Sequence, residues 1–215
     1  MLDVHPPHEP IYSWRDFFVH LATITSGLLI ALSLEGCVEW RHHRQLVHEA
    51  EESLLTEIKA NAGDLQGALD DVRKERELLK QDIALMKKII ANPKVQNRDE
   101  VMINFHIRTF KDVSWKTAQS TGALSYMPYE RAQEYSDIYN AQDEIYWAER
   151  EAVRDTVVSV GPFLNSAKGD VNPGGEEAVK IKTNLEVLQG QLTFMESLIR
   201  GLDGEYKKFL AAHAG

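Results

Sequence analysis

The chain has 215 residues, 43% of them hydrophobic, and a formal net charge of −9. That length fits one domain with an appendage. The apolar content excludes an extensively disordered chain, and the acidity argues against a general nucleic-acid binder, which needs a basic stripe to displace counterions from phosphates. Cys37 is the single cysteine, so neither an intramolecular disulfide nor a cysteine-based zinc site can form.

Residues 1–16 read as an N-terminal tail. His5 and His8 flank Pro6-Pro7, which favours an extended segment and rules the pair out as helical i, i+4 metal ligands. From Phe17 to Leu34 the sequence "FFVHLATITSGLLIALSL" has 18 residues without Asp, Glu, Lys or Arg. Extended through Val38, the run is about 30 Å long as a helix, the thickness of a hydrocarbon core. Residues 17–38 are therefore expected to form a transmembrane helix. Its interface anchors are Trp14 and Arg15 at one end and Trp40, Arg41 and Arg44 at the other.

The stretch "GLLIALSLEGCVEW" also carries a lipoprotein-like L-x-G-C at Leu34–Cys37, but Glu35 occupies a position that wants a small or apolar residue. The tail lacks a compact basic region, and no small-x-small cleavage site follows the run. Retention as an anchor is expected. Thr23, Gly27, Ala31 and Glu35 recur every four residues with His20 on the same side. Small residues at that spacing admit another helix backbone, and polar groups in a bilayer turn toward protein or water. This is the expected transmembrane packing face. A lone span with His20 and Glu35 snorkelling to the interfaces is the alternative. Lys and Arg counts at the two ends nearly tie, so the side occupied by the C-terminal part is undecided, with a lean toward the periplasm.

Residues 39–215 are expected to be a soluble α-helical bundle. Ile58, Ala62, Leu65, Leu69, Val72, Arg76, Leu79, Ile83, Met86 and Ile90 alternate spacings of four and three, a heptad seam. Asn92-Pro93 should end that helix, and Gly63 and Gly67 mark a place where it could bend. Val101–Val113 and roughly Pro128–Ser159 read as further helices, with Pro162 and "GDVNPGG" (Gly169–Gly175) breaking the chain after them. A second seam follows at Ile181, Leu185, Leu188, Leu192, Met195, Ile199, Leu202, Tyr206 and Phe209. The fold class is all-α: one transmembrane helix continuing into a long helix and an antiparallel bundle with coiled-coil-like seams. The seams serve equally for internal packing or for oligomerisation.

No catalytic fingerprint is present, and the expectation is a non-enzyme with no cofactor. Glu35, Glu39 and His43 share a helix face, but a charged helix leaving a membrane makes that pattern without a metal. The segment Ser114–Gln142 is the most particular. Trp115, Thr121, Gly122, Leu124, Met127 and Tyr129 outline either a corner between helices or a notch for a partner or ligand, with Pro128 suited to the first turn of the next helix. "GLLIALSLEGCVEW" followed by a long charged helix and "WKTAQSTGALSYM" resembles a class of uncharacterised bacterial single-pass membrane proteins. The resemblance implies bacterial origin and inner-membrane anchoring, and it carries over no catalytic residues because none are established for the class.

Two functions are expected from this reading. The first is a structural or accessory subunit of a membrane complex, or a homo-oligomer, with membrane lipid and a membrane protein as partners and no nucleic acid. The alternative is an extracytoplasmic sensory or ligand-binding bundle that signals through a partner.

Overall fold

The computed structural model describes residues 13–93, 108–164 and 175–213. The protein is all-α, with α1 (Trp14–Ala91), α2 (Val113–Ser120), a 3₁₀ turn (Ala123–Tyr126), α3 (Tyr129–Leu164) and α4 (Gly175–Ala212). The chain divides into two compact units, residues 1–49 and 50–215.

In the first unit Ser13 opens α1. Its hydroxyl accepts the backbone N–H groups of Arg15 (3.2 Å) and Asp16 (3.3 Å), satisfying donors that a helix start leaves unpaired. The helix then presents its apolar side chains outward. Phe17, Phe18, Leu21, Ile24, Leu28, Leu32 and Leu34 are all exposed, and the most apolar window is wholly uncovered. Three of the hydroxyls in this run need no outside partner. Thr23, Thr25 and Ser33 donate to the carbonyls of Val19, Leu21 and Leu29 at 2.7–2.9 Å, one turn back on the same helix.

In the second unit the C-terminal part of α1, α3 and α4 form the bundle. Glu51 and Glu57 of α1 meet Arg131 and Tyr139 of α3, so these two helices run parallel. Glu134 of α3 meets His213, and Asp155 meets Gln191, so α4 runs antiparallel to α3. Arg73 and Arg76 reach Glu196, which fits the same direction of α4 against α1.

Every residue of the α4 seam, from Ile181 to Phe209, is buried. Each such side chain is worth about 1.5–3 kcal/mol on burial, against about 0–1 for a surface ion pair. The seams therefore hold the bundle, and the many exposed i, i+4 pairs do little. On α1 the seam lies slightly off the expected line. Ile58, Leu65, Leu69, Val72, Leu79, Ile83 and Met86 are buried as expected, but Ala62 and Ile90 are only partly covered. Asn61, Ala68, Asp82 and Ile89 are buried beside them. The α3 core line runs Tyr135, Ile138, Gln142, Ile145, Ala148, Ala152 and Thr156, again in three- and four-residue steps.

Several boundaries differ from the sequence reading. Helix α1 ends at Ala91, just before Asn92-Pro93 as expected, and stays helical through Gly63 and Gly67. Of the helix expected over Val101–Val113, residues 101–107 lie outside the described residues. Residues 108–112 are not helical, and α2 starts only at Val113. Pro128 precedes α3 rather than entering it, its carbonyl accepting the N–H of Ala132 at 3.0 Å. Helix α3 passes Pro162 and ends at Leu164. A proline this near a C-terminus forfeits one donor without breaking the turns before it.

Glu196 is the most heavily paired charge in the bundle. Its carboxylate takes Arg200 Nη2 (2.8 Å), Arg73 Nε (3.3 Å) and Arg76 Nη1, while only 9% of the residue is exposed. The hydrogen bond from Arg200, then those from Arg73 and Arg76, hold its pKa below the usual glutamate range despite burial. Above that range the ionised carboxylate therefore contributes stability, and the contribution disappears as pH falls through the lowered folded value. Glu196→Gln should lower the unfolding free energy by about 1–3 kcal/mol at neutral pH. Thermal unfolding followed across acidic pH should show the variant and the parent converging.

Candidate functional site

The residues of the expected packing face lie on α1. His20, Thr23, Gly27, Ala31 and Glu35 are all exposed, and a Cβ added at Gly27 would meet nothing within 4 Å. The backbone there is thus open to close approach. The residues expected as anchors, Trp14, Arg15, Trp40, Arg41 and Arg44, are likewise exposed, and the Arg44 guanidinium lies 5.3 Å from the centroid of the Trp40 ring. Trp14, Phe17 and Phe18 form an aromatic cluster at the other end, with centroids 5.6–6.2 Å apart. His5 and His8 lie outside the described residues. No group of acidic, histidine and cysteine side chains suited to a metal occurs among the described residues.

In the second unit the bundle's polar centre is a clamp between α1 and the segment leading into α2. Asn61, almost fully buried, donates from Nδ2 to the Lys111 carbonyl (2.7 Å) and accepts the Lys111 N–H on Oδ1 (2.8 Å). One turn earlier, Glu57 Oε2 accepts the N–H of Ser114 at 2.9 Å. Asp112 gives α2 no side-chain cap. The Glu57 carboxylate takes that place from another helix, next to the positive end of α2. Its second oxygen accepts the Tyr139 hydroxyl at 2.7 Å. Burial first, and then that bond to a carboxylate, pushes the Tyr139 phenol well above its ordinary pKa. Burial does the same to Tyr206. Both phenols stay neutral throughout the physiological range, and the Tyr139 hydroxyl stays a donor.

Tyr139 is also where Trp115 lies, its ring stacked at 5.0 Å and 7°. This accounts for one of the six residues expected at a notch. Gly122 adopts φ 76°, a left-handed conformation that ends α2 and that a side chain would strain. The Thr121 hydroxyl turns back onto the Thr117 carbonyl at 2.9 Å. Met127 is buried, Leu124 half-buried, and Thr121 and Tyr129 exposed. These placements are those of a helix corner that seats Trp115 and Met127 in the bundle and leaves Tyr129 in solvent.

Sequence reasoning missed the clamp and a second feature. Trp147 on α3 and Val187, Gly190 and Phe194 on α4 line an apolar groove, with Trp147 62% and Phe194 54% exposed. The signal for the clamp was Asn61 standing in an otherwise apolar heptad position. The signal for the groove was a second three-and-four spacing on α4, at Val187, Gly190 and Phe194.

Comparison with protein-family models, with curated proteins and with solved structures finds no match. No family is thereby identified. What stands of the resemblance carried by Gly27–Trp40 and Trp115–Leu124 is an all-helical protein with a long, apolar N-terminal helix and one candidate membrane-spanning segment.

The clamp makes a specific prediction. Asn61→Ala leaves both Lys111 backbone groups without their partner and should cost about 2–4 kcal/mol. Asn61→Asp keeps an acceptor for the Lys111 N–H but places a carboxylate against its carbonyl, so it should destabilise too. Hydrogen exchange should report the loss first at Lys111 and Ser114, ahead of the α4 seam.

Proposed function

We propose that the protein is a non-enzymatic, membrane-anchored helical protein. It acts as a structural or accessory subunit of a membrane complex, or as a homo-oligomer. The observation that carries this reading is the uncovered apolar surface of α1 between Phe17 and Leu34. Eighteen residues without a charged side chain, none of them buried, are unfavourable in water at roughly 25 cal/mol per Å². A lipid environment removes that cost, and the internally bonded hydroxyls of Thr23, Thr25 and Ser33 lower the cost of entering it.

Partner binding is supported by the face of His20, Thr23, Gly27, Ala31 and Glu35, whose ionisable ends are more favourable against protein than against acyl chains. The groove at Trp147, Val187 and Phe194 offers a second apolar contact outside the span. Catalysis draws no support from the buried polar groups. Glu57, Asn61 and Tyr139 are each engaged in holding the bundle together.

Membranes washed at alkaline pH should retain the protein, and its intact mass should include residues 17–38. Loss to the supernatant, or a mass lacking those residues, would replace the anchor with a peripheral protein or a cleaved signal sequence. Gly27→Leu combined with Ala31→Leu should leave insertion unchanged and reduce recovery of the partner or oligomer at least severalfold in mild detergent. A parent protein that migrates as a monomer with nothing bound would overturn the subunit reading.

A further inference from the structure

We propose that α1 carries, over Trp40–His48, a site for the phosphate of an anionic phospholipid. The proposal rests on residues 17–38 being a membrane span and adds to it a particular lipid headgroup.

Helical spacing brings the site together. At about 100° per residue, Trp40, Arg41, Arg44 and His48 fall within a single arc of roughly a third of the helix circumference. All four are exposed, and with His42 and Gln45 they line one shallow concavity. The Arg44 guanidinium is held near the Trp40 ring, 5.3 Å from its centroid, which limits its rotamers while leaving its N–H groups available. The carboxylates nearest in sequence on the membrane side, Glu35 and Glu39, project from the opposite side of the helix by the same spacing. Glu49 accepts a hydrogen bond from Gln45 at 2.8 Å. The arc is thus basic within a chain of net charge −9.

The occupant follows from what lies below the arc. Ile30, Leu34 and Cys37 lie under Arg41 at spacings of eleven, seven and four, and all three are exposed. Trp40 is about 9 Å along the axis from Leu34, the depth of a headgroup layer beside a hydrocarbon core. One face therefore offers an apolar column for acyl chains and two guanidiniums for the phosphate above them. Guanidinium groups match phosphate oxygens bidentately, as a lysine would not. A free phosphate would use only the upper half of this surface. A phospholipid uses both.

The test places the full-length protein in phosphatidylcholine vesicles with and without a minor share of phosphatidylglycerol. Lipids retained after gentle detergent extraction are then counted by native mass spectrometry. The parent should retain phosphatidylglycerol over phosphatidylcholine by about tenfold relative to the bulk ratio. Arg41→Gln with Arg44→Gln should bring retention near the bulk ratio. Arg150→Gln with Lys180→Gln, which removes the same charge from the bundle surface, should not. Circular dichroism would check that helix content is equal in all variants. Equal phosphatidylglycerol enrichment in the parent and the Arg41/Arg44 variant would overturn the proposal. So would displacement of the lipid by millimolar glycerol phosphate, which would mark a free-anion site. If the protein instead fails to resist alkaline extraction from either vesicle, the span reading is what fails.

Discussion

Two neighbouring polar side chains on α1 hold the second unit together at its least helical point. Asn61 and Glu57 project from successive turns and take the backbone of Lys111 and Ser114, so the non-helical residue Lys111 and the first turn of α2 are both tied to α1. The consequence runs on into α2, whose N-terminus has the Glu57 carboxylate in place of a local cap. From there it reaches α3, through the Tyr139 hydroxyl on that carboxylate and the Trp115 ring stacked on Tyr139. Unpaired buried backbone groups cost about 1–3 kcal/mol each, comparable to burying a leucine. Losing the clamp would therefore misplace the corner as well as weaken it.

Around this centre the apolar seams supply the attraction and the charges supply direction. The α4 seam meets α3 with Tyr135 against Phe209 at 5.3 Å, and Phe209 in turn stacks on His213 just past the end of α4 at 4.2 Å. Glu196 gathers arginines from α1 and from its own helix, which fixes the level at which the two meet. An apolar seam alone tolerates a slip of one heptad, because every seventh position resembles the last. A carboxylate that the Arg73 and Arg76 guanidiniums must reach from α1 does not tolerate it.

The two units use the same kind of residue in opposite ways. In the second, leucine and isoleucine face inward at three-and-four spacing. In the first they are spread around α1 instead of gathered on one inner face, and they remain exposed. Periodicity separates the two cases, since an all-round apolar helix has no inner face to bury. This distinction was readable directly from Phe17–Leu34, where no charge interrupts the run, and from Ile58 onward, where charges recur on one side.

Much of the fold was legible in this way. The α4 seam was read residue for residue, because each position is apolar and the helix is long enough to establish its period. The ends of α1 and α2 were legible at Asn92-Pro93 and Thr121-Gly122, because proline and a left-handed glycine act locally. The α1 seam was read one residue off at Ala62 and Ile90. A hydrophobicity pattern selects the apolar member of each adjacent pair, whereas the bundle buries the member that faces its neighbours. At position 61 that member is an asparagine, which belongs inside only because the Lys111 backbone arrives opposite it. The groove at Trp147 and Phe194 was illegible for the same reason: it is composed of two helices, and neither by itself makes it.

The sequence by itself determined α1, α3 and α4 with their approximate limits, the interior face of α4 and the apolar run on α1, since these depend on local dihedral preference and on period. Tertiary structure alone decided that α1 and α3 run parallel with α4 against them, and that Glu57 caps a helix 57 residues away. It alone also decided that Trp115 belongs to the bundle while Tyr129 does not. Those outcomes turn on which surfaces meet. A polar side chain is inside or outside according to the partner it finds, and that partner comes from a distant part of the chain.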